Sequence, residues 1–220
     1  MNKENLIRRV LSSIVLLLVL ITSIFIYRPM FYIFIYVLSS CMLYEWYNIT
    51  RNKKKLYIYN FIGQVLVIIP MSSLLITSYI DQEGWLLFTL FSCVSTVDTM
   101  AMLGGKTIGG IKLIPQISPN KTISGFLVGV LFACITINLL TLIKQYKLPG
   151  MIHTNNVLLT FYAIILSIVA QASDILISFF KRKFKIKDTG TIIPGHGGVL
   201  DRFDSIILTA PLILFLLYYY

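Results

Sequence analysis

Charge is scarce in this chain: of 220 residues only 13% are Asp, Glu, Lys or Arg, and just nine are acids. A soluble domain carries about a quarter of its residues charged. With 57% apolar residues and a mean hydropathy of +0.82, the chain is excluded from that class. Cysteine is nearly missing as well. Cys41, Cys93 and Cys134 each fall inside an apolar run, without the paired spacing of a zinc site or a disulfide framework, and are expected as small buried hydrophobes. Internal repeats, low-complexity tracts and polar linkers are lacking too, which predicts one polytopic membrane domain over residues 1–220. With no soluble domain to form a groove, the net charge of +10 is no sign of nucleic acid binding.

What is there is a series of apolar runs near the ~17 to 25 residues that cross a bilayer as a helix: Val10–Tyr27, Met30–Tyr47, Leu56–Ile80, Trp85–Leu103, Ile123–Ile143, Val157–Phe180 and Ser205–Tyr220. These predict an all-α integral membrane protein with about seven transmembrane helices. Pro70 inside the third run makes a broken helix pair an alternative there. The first run is too long for the ~7 to 15 apolar residues of a signal peptide, so an uncleaved helix is expected.

The basic residues then orient the chain, because cytoplasmic loops retain Lys and Arg. With a cytoplasmic N-terminus, one face collects Lys3, Arg8, Arg9, Arg51, Lys53, Lys54, Lys55, Lys106, Lys112, Lys121, Lys181, Arg182, Lys183, Lys185, Lys187 and Arg202. The opposite face keeps only Arg28, Lys144 and Lys147, together with Asp81 and Glu83, which are expected as solvated acids of an outer turn.

The remaining acids are harder to dismiss. Glu45 and Asp98 lie within apolar runs and Asp174 near the end of one, where a charge costs roughly 2.5 to 3.5 kcal/mol at a helix centre. Asp174 and Ser178, four residues apart, share a helical face that leads into Lys181-Arg182. Pro194-Gly195-His196-Gly197-Gly198 follows, and glycine lets backbone N–H groups approach an anion closely. Asp188, Asp201 and Asp204 complete the loop with oxygen ligands of the kind that suit Mg2+. Together they predict a polyanion site with metal, at the membrane surface.

The run Ser178-x-x-Lys181-Arg182-x4-Lys187-Asp188-x-Gly190-x2-Ile193-Pro194-x-His196-Gly197-Gly198-x2-Asp201-Arg202-Phe203-Asp204 resembles the signature of phosphatidate cytidylyltransferases, the CDP-diacylglycerol synthases. Asp98-Thr-Met-Ala, then Gly105-Lys106-x-x-Gly109 and Ser118-Pro119-Asn120-Lys121-Thr122, is similar to a second polar segment of that family, and Glu45-Trp46 to a smaller feature. Three positions depart from the pattern: Gly110 stands where a lysine is usual, Met102 where an aromatic is usual, and Ser124 where an acid or amide often stands. Gly125 and Gly129, four apart in the fifth run, are expected to permit close helix packing.

The resemblance implies CTP and phosphatidic acid as substrates, CDP-diacylglycerol and pyrophosphate as products, and a role in phospholipid biosynthesis. It implies Mg2+, alone or with a second cation, on Asp174, Asp201 and Asp204, with Asp188 as a further contributor. Lys181, Arg182, Lys187 and Arg202 are expected to bind phosphates, and Lys106, Ser118, Lys121, Thr122, Ser178, Gly197 and Gly198 to contact substrate. His196 has two open roles, donation to a phosphate oxygen or bracing of the loop; Asp98 has two as well, holding a lysine or a metal. The resemblance also implies a homodimer, in a bacterial inner membrane or an equivalent organelle membrane, with the catalytic loop facing the cytoplasm.

Other enzyme classes fit less well. The CDP-alcohol phosphatidyltransferase pattern D-G-x2-A-R-x8-G-x3-D-x3-D is missing, since Gly197, Gly198, Asp201, Arg202 and Asp204 have the wrong order and spacing. A CTP-using lipid kinase would share much of the chemistry. A transporter is expected to bind near the midplane between repeated halves, whereas these groups cluster at one face.

Overall fold

The computed structural model describes residues 3–143, 145–146, 148, 156–193 and 197–219. Seven α-helices are found among them, one for each apolar run: α1 (Lys3–Phe25), α2 (Arg28–Thr50), α3 (Leu56–Ile80), α4 (Trp85–Thr107), α5 (Ile123–Leu140), α6 (Asn156–Lys183) and α7 (Ile206–Tyr219). Four of them, α3, α4, α5 and α6, are long and apolar enough to cross a membrane, and Ile14–Phe25 and Ile206–Leu216 are shorter apolar segments. The helical expectation holds with one addition. The polar segment after α4 folds into an antiparallel ribbon of β1 (Lys112–Ile114) and β2 (Ser118–Thr122), pairing Lys112 with Thr122 and Ile114 with Ser118.

Pro70 does not divide α3, which runs unbroken through it. The carbonyl that Pro70 leaves without a helical donor is that of Leu66, and the hydroxyls of Ser72 and Ser73 tie the next turn by donating to the Ile69 carbonyl.

The core includes Phe31, Met42, Leu74, Leu90, Ile177 and Ile207, all buried. Large apolar side chains on the outside are equally characteristic: Ile26, Tyr36, Leu127, Leu142 and Val157 are exposed. Apolar surface on this scale would aggregate in water; against lipid it costs nothing. Between helices in lipid, close packing replaces the hydrophobic effect, and α5 meets α4 through small residues. A Cβ at Gly129 would come within 3.2 Å of Ala101 Cβ and 3.3 Å of the Val97 carbonyl. The glycine pair thus serves packing, as expected.

At the end away from the ribbon the structure corrects one expectation. Asp81 is not a solvated acid: it is buried, and its carboxylate accepts the backbone N–H of Leu86 at 2.6 Å and of Gly84 at 3.2 Å. These amides open α4 and have no partner within the helix, which is why an acceptor there is stabilising. Arg28 donates to the Asp81 and Gln82 carbonyls. Edge-on contacts of Trp85 with Phe25 and Tyr146 complete an aromatic cluster at this end. Lys144, Lys147 and Tyr220 lie outside the described residues.

Candidate active site

The opposite end of the bundle gathers the motifs. A cavity of about 700 Å³ opens there between α4, the ribbon, α5, α6 and the segment ahead of α7. Four carboxylates line it, Asp98, Asp174, Asp201 and Asp204, and so do four cations, Lys106, Lys112, Lys121 and Arg202. Asn120, Thr122 and Gln171 add neutral polar groups. The volume suits a ligand of nucleotide size.

Asp174 projects from α6 into this space. Its Oδ2 pairs with Lys121 Nζ at 2.7 Å, and its Oδ1 accepts from Ser178 Oγ at 3.2 Å, the one-turn spacing seen in the sequence. Lys121 belongs to β2, so the ribbon carries a cation across to α6. Next to it, Thr122 serves the fold: its hydroxyl accepts Gly125 N–H at 3.1 Å and caps α5. Asp98, on α4, accepts from Ser205 Oγ at 3.0 Å. Asp204 is buried and accepts its neighbour Ser205 N–H at 2.8 Å. Burial, then the negative charges of Asp174 and Asp98, push the Asp204 carboxyl well above the ordinary carboxylate range, against weaker pulls from Lys181 and the Ser205 N–H. Like charges this close to Asp204 favour a cation beside it.

Asp201 is held differently. Its Oδ1 takes Lys181 Nζ at 2.8 Å, and its Oδ2 accepts the Thr189 N–H at 2.7 Å, the Thr189 hydroxyl at 3.0 Å and the Gly198 N–H at 3.3 Å. The glycine loop therefore wraps a carboxylate of its own chain. Gly197, at φ 88°, makes the turn that this wrapping requires and forms an isolated bridge with Ile193. His196, with Pro194 and Gly195, lies outside the described residues.

Several expected contacts stand away from the cavity lining. Arg182 donates through Nε to the Ile117 carbonyl at 3.1 Å and through a terminal nitrogen to the Ile186 carbonyl at 3.3 Å, bracing the ribbon. Lys187 and Asp188 are exposed on the loop. Ser178, Gly198 and Lys181 bond to Asp174 or Asp201 without lining the cavity, and Gly197 and Ser118, the first residue of β2, do not line it either. Among the described residues, no group of three or more His, Cys, Asp or Glu side chains is drawn together tightly enough to hold a metal ion.

Two of the departures from the family pattern have local explanations. Gly110 has φ 101°, a conformation that a lysine would adopt only under strain, and Lys112 lines the cavity two residues on. Ser124 lies 3.0 Å from the Thr122 hydroxyl and donates to the Gly109 carbonyl, tying the ribbon to the start of α5. Sequence reasoning missed Thr189, Ser205 and Gln171, each a single neutral polar residue with no spacing signal. It noticed Glu45 without assigning it a part.

The comparisons with known proteins agree with the geometry. The sequence profile described as "Cytidylyltransferase family" matches residues 56–220. A phosphatidate cytidylyltransferase of Rickettsia felis is 45% identical over 215 residues, covering 98% of this chain and 93% of the relative. One from Rickettsia conorii is 45% identical over 219 residues, covering 100% and 94%. One from Bacillus subtilis is 39% identical over 140 residues, covering 63% of this chain and 49% of its own length. With its cavity of acids and cations built from the matched region and its likeness to these relatives running nearly end to end, the chain belongs to the cytidylyltransferase family.

Proposed function

We propose that this chain transfers the cytidylyl group of CTP to phosphatidate, giving CDP-diacylglycerol and pyrophosphate. The observation that carries the reading is the cavity at one end of a lipid-facing helix bundle, where four acids and four cations meet. A lipid phosphate and a soluble nucleotide can both reach such a place. Relatives named phosphatidate cytidylyltransferase, alike over nearly the whole chain, support it.

An oxygen of the phosphatidate phosphate attacks the α-phosphorus of CTP while the bond from that phosphorus to the bridging oxygen breaks, and pyrophosphate leaves with the electron pair. Phosphatidate is already anionic at neutral pH, so the step needs no strong base. The difficulty is bringing anions together, and phosphoryl-type transfer depends chiefly on positioning and charge neutralisation. Lys106, Lys112, Lys121 and Arg202 line the cavity and neutralise the triphosphate and the lipid phosphate. Arg202 offers the fork that binds phosphate bidentately. Lys121 and Lys181 are paired with Asp174 and Asp201 here; released, each ammonium is free to take a phosphate oxygen.

Mg2+ fits this donor set. It ordinarily takes one or two carboxylates and completes its shell with water and substrate phosphate, so the lack of a preformed three-residue cage among the described residues is no obstacle. Asp174 and Asp204 would hold the ion, with Asp201 able to join through Oδ1 once Lys181 is released, and the crowding that burdens Asp204 is what a cation would relieve. Bound there, Mg2+ would supply charge neutralisation for the triphosphate and the leaving pyrophosphate.

The sixteen basic residues that the sequence assigns to one side support a cytoplasmic cavity by the positive-inside tendency, and with seven spans the N-terminus would share that side. A homodimer rests on the family resemblance alone. The decisive experiment incubates purified protein in mixed micelles with CTP labelled in the cytosine ring, with and without phosphatidate. Label should enter lipid in step with pyrophosphate release. Release of CDP with a phosphorylated lipid free of cytidine would make the protein a kinase and reject the proposal.

A further inference from the structure

Glu45 touches nothing in the cavity, yet three donors of the signature segment converge on it. It sits near the end of α2 and is 2% exposed. Its Oε1 accepts the Val199 N–H at 2.8 Å, and its Oε2 accepts the Leu200 N–H at 2.9 Å and the Thr189 hydroxyl at 3.1 Å. All three donors are more than 140 residues distant in sequence. We infer that Glu45 is a positioning residue for the reaction: its carboxylate fixes the loop that holds Asp201, and so sets where Asp201 stands at the cavity wall and where Lys181 pairs with it. The inference rests on the proposed cytidylyl transfer.

Two glycines make room for it. A Cβ at Gly190 would lie 2.5 Å from Glu45 Oε1, and one at Gly198 would lie 2.0 Å from the Thr189 hydroxyl and 2.8 Å from Glu45 Oε2. Signature glycines that look like an anion-binding turn are here a cradle for the chain's own carboxylate. Thr189 connects the two acids. Its hydroxyl lies 3.1 Å from Glu45 Oε2 and 3.0 Å from Asp201 Oδ2, with one proton to give, while its N–H is committed to Asp201 at 2.7 Å. Asp201 continues to Lys181 at 2.8 Å. A string of bonds thus runs from α2 through the loop to α6. The α2 end is anchored as well, by Trp46, whose indole N–H donates to the Tyr59 carbonyl at 2.7 Å and whose ring meets Phe180 edge-on at 5.2 Å. A buried carboxylate facing backbone amides is not replaced by an amide without loss, since the NH2 of glutamine confronts one of the N–H groups.

The test uses the full-length protein with Cys41→Ala and Cys134→Ala, Cys93 retained, and Val199→Cys added. Val199 is 5% exposed and Cys93 is fully buried, so one thiol reports on the loop and the other on the helix bundle. Glu45→Gln should speed modification at position 199 by about tenfold while Cys93 stays protected. In the chain without cysteine changes it should lower kcat by roughly 10- to 100-fold, with KM for CTP within about threefold of the original. Thr189→Val, which removes the shared hydroxyl and leaves the fold a second chance to form, should act in the same direction. The inference is overturned if Cys93 is unmasked together with position 199 in both variants, if a folded Glu45→Gln protein keeps its kcat and its labelling rate, or if KM rises with kcat unchanged. Should the unaltered protein transfer no cytidylyl group at all, the proposed activity fails, while the labelling rates still decide whether Glu45 holds the loop.

Discussion

The two ends of the bundle use the same side chains in opposite ways. At the far end Asp81 gives both oxygens to the amides that open α4, and Arg28 spends its guanidinium on carbonyls of the same turn. At the cavity Asp174 is held by Lys121 and a serine, Asp201 partly by Lys181, and Asp204 faces Asp98 and Asp174 as like charges. At Asp81 backbone amides take both oxygens and leave nothing to offer a ligand, whereas Asp201 gives backbone amides its Oδ2 and Asp204 accepts one at Oδ1. An ammonium on a flexible stem can depart when a phosphate arrives. Burial does not separate the two cases, because Asp81 and Asp204 are both buried. Whether backbone amides hold both oxygens or one does.

The largest effect that tests this contrast is expected from Asp174→Asn. Removing the charge while keeping the shape should reduce kcat by on the order of a hundredfold or more, with the folded yield and thermal midpoint in detergent unchanged. Chelating divalent cations should abolish turnover in the unaltered protein, and Mg2+ added back should restore it. A folded, fully active Asp174→Asn protein would end the comparison. A smaller effect is expected from Lys121→Met, which deletes one cavity cation and leaves Asp174 to Ser178. Loss of one charge-assisted contact to phosphate is worth about 1.5 kcal/mol, so KM for CTP should rise roughly tenfold. If the variant instead lost thermal stability while binding CTP normally, Lys121 would belong with the structural ion pairs of the far end.

Much of this was legible in the sequence because membrane helices declare themselves by length and hydropathy: each of the seven apolar runs became a helix. The cavity acids were legible for a related reason, since Asp98 and Asp174 are expensive where they stand and require a purpose. Three things were hidden. The ribbon of β1 and β2 is too short and too polar to show a two-residue alternation. Asp81 was indistinguishable from Glu83 in an apparently solvated turn, because a cap is a matter of where amides point and not of composition. Glu45 and Gly190 lie far apart in sequence, and only the folded chain shows that a Cβ at the glycine would strike the carboxylate.

Asp81→Asn should have the smallest effect and the most informative one. The amide keeps one acceptor oxygen, so one of the Gly84 and Leu86 N–H groups retains its partner while the other meets an NH2. The favourable interaction of a negative charge with the start of α4 is lost too. Caps of this kind are worth about 1 kcal/mol, which for a chain of this size lowers the thermal midpoint by about 2 to 4 °C. Turnover per folded molecule, measured well below that midpoint, should be unchanged, because the cavity lies at the other end of α4. A fall in kcat at equal folded yield would mean that the capped end of α4 controls where Asp98 sits, and the two ends would then have to be treated as one coupled unit.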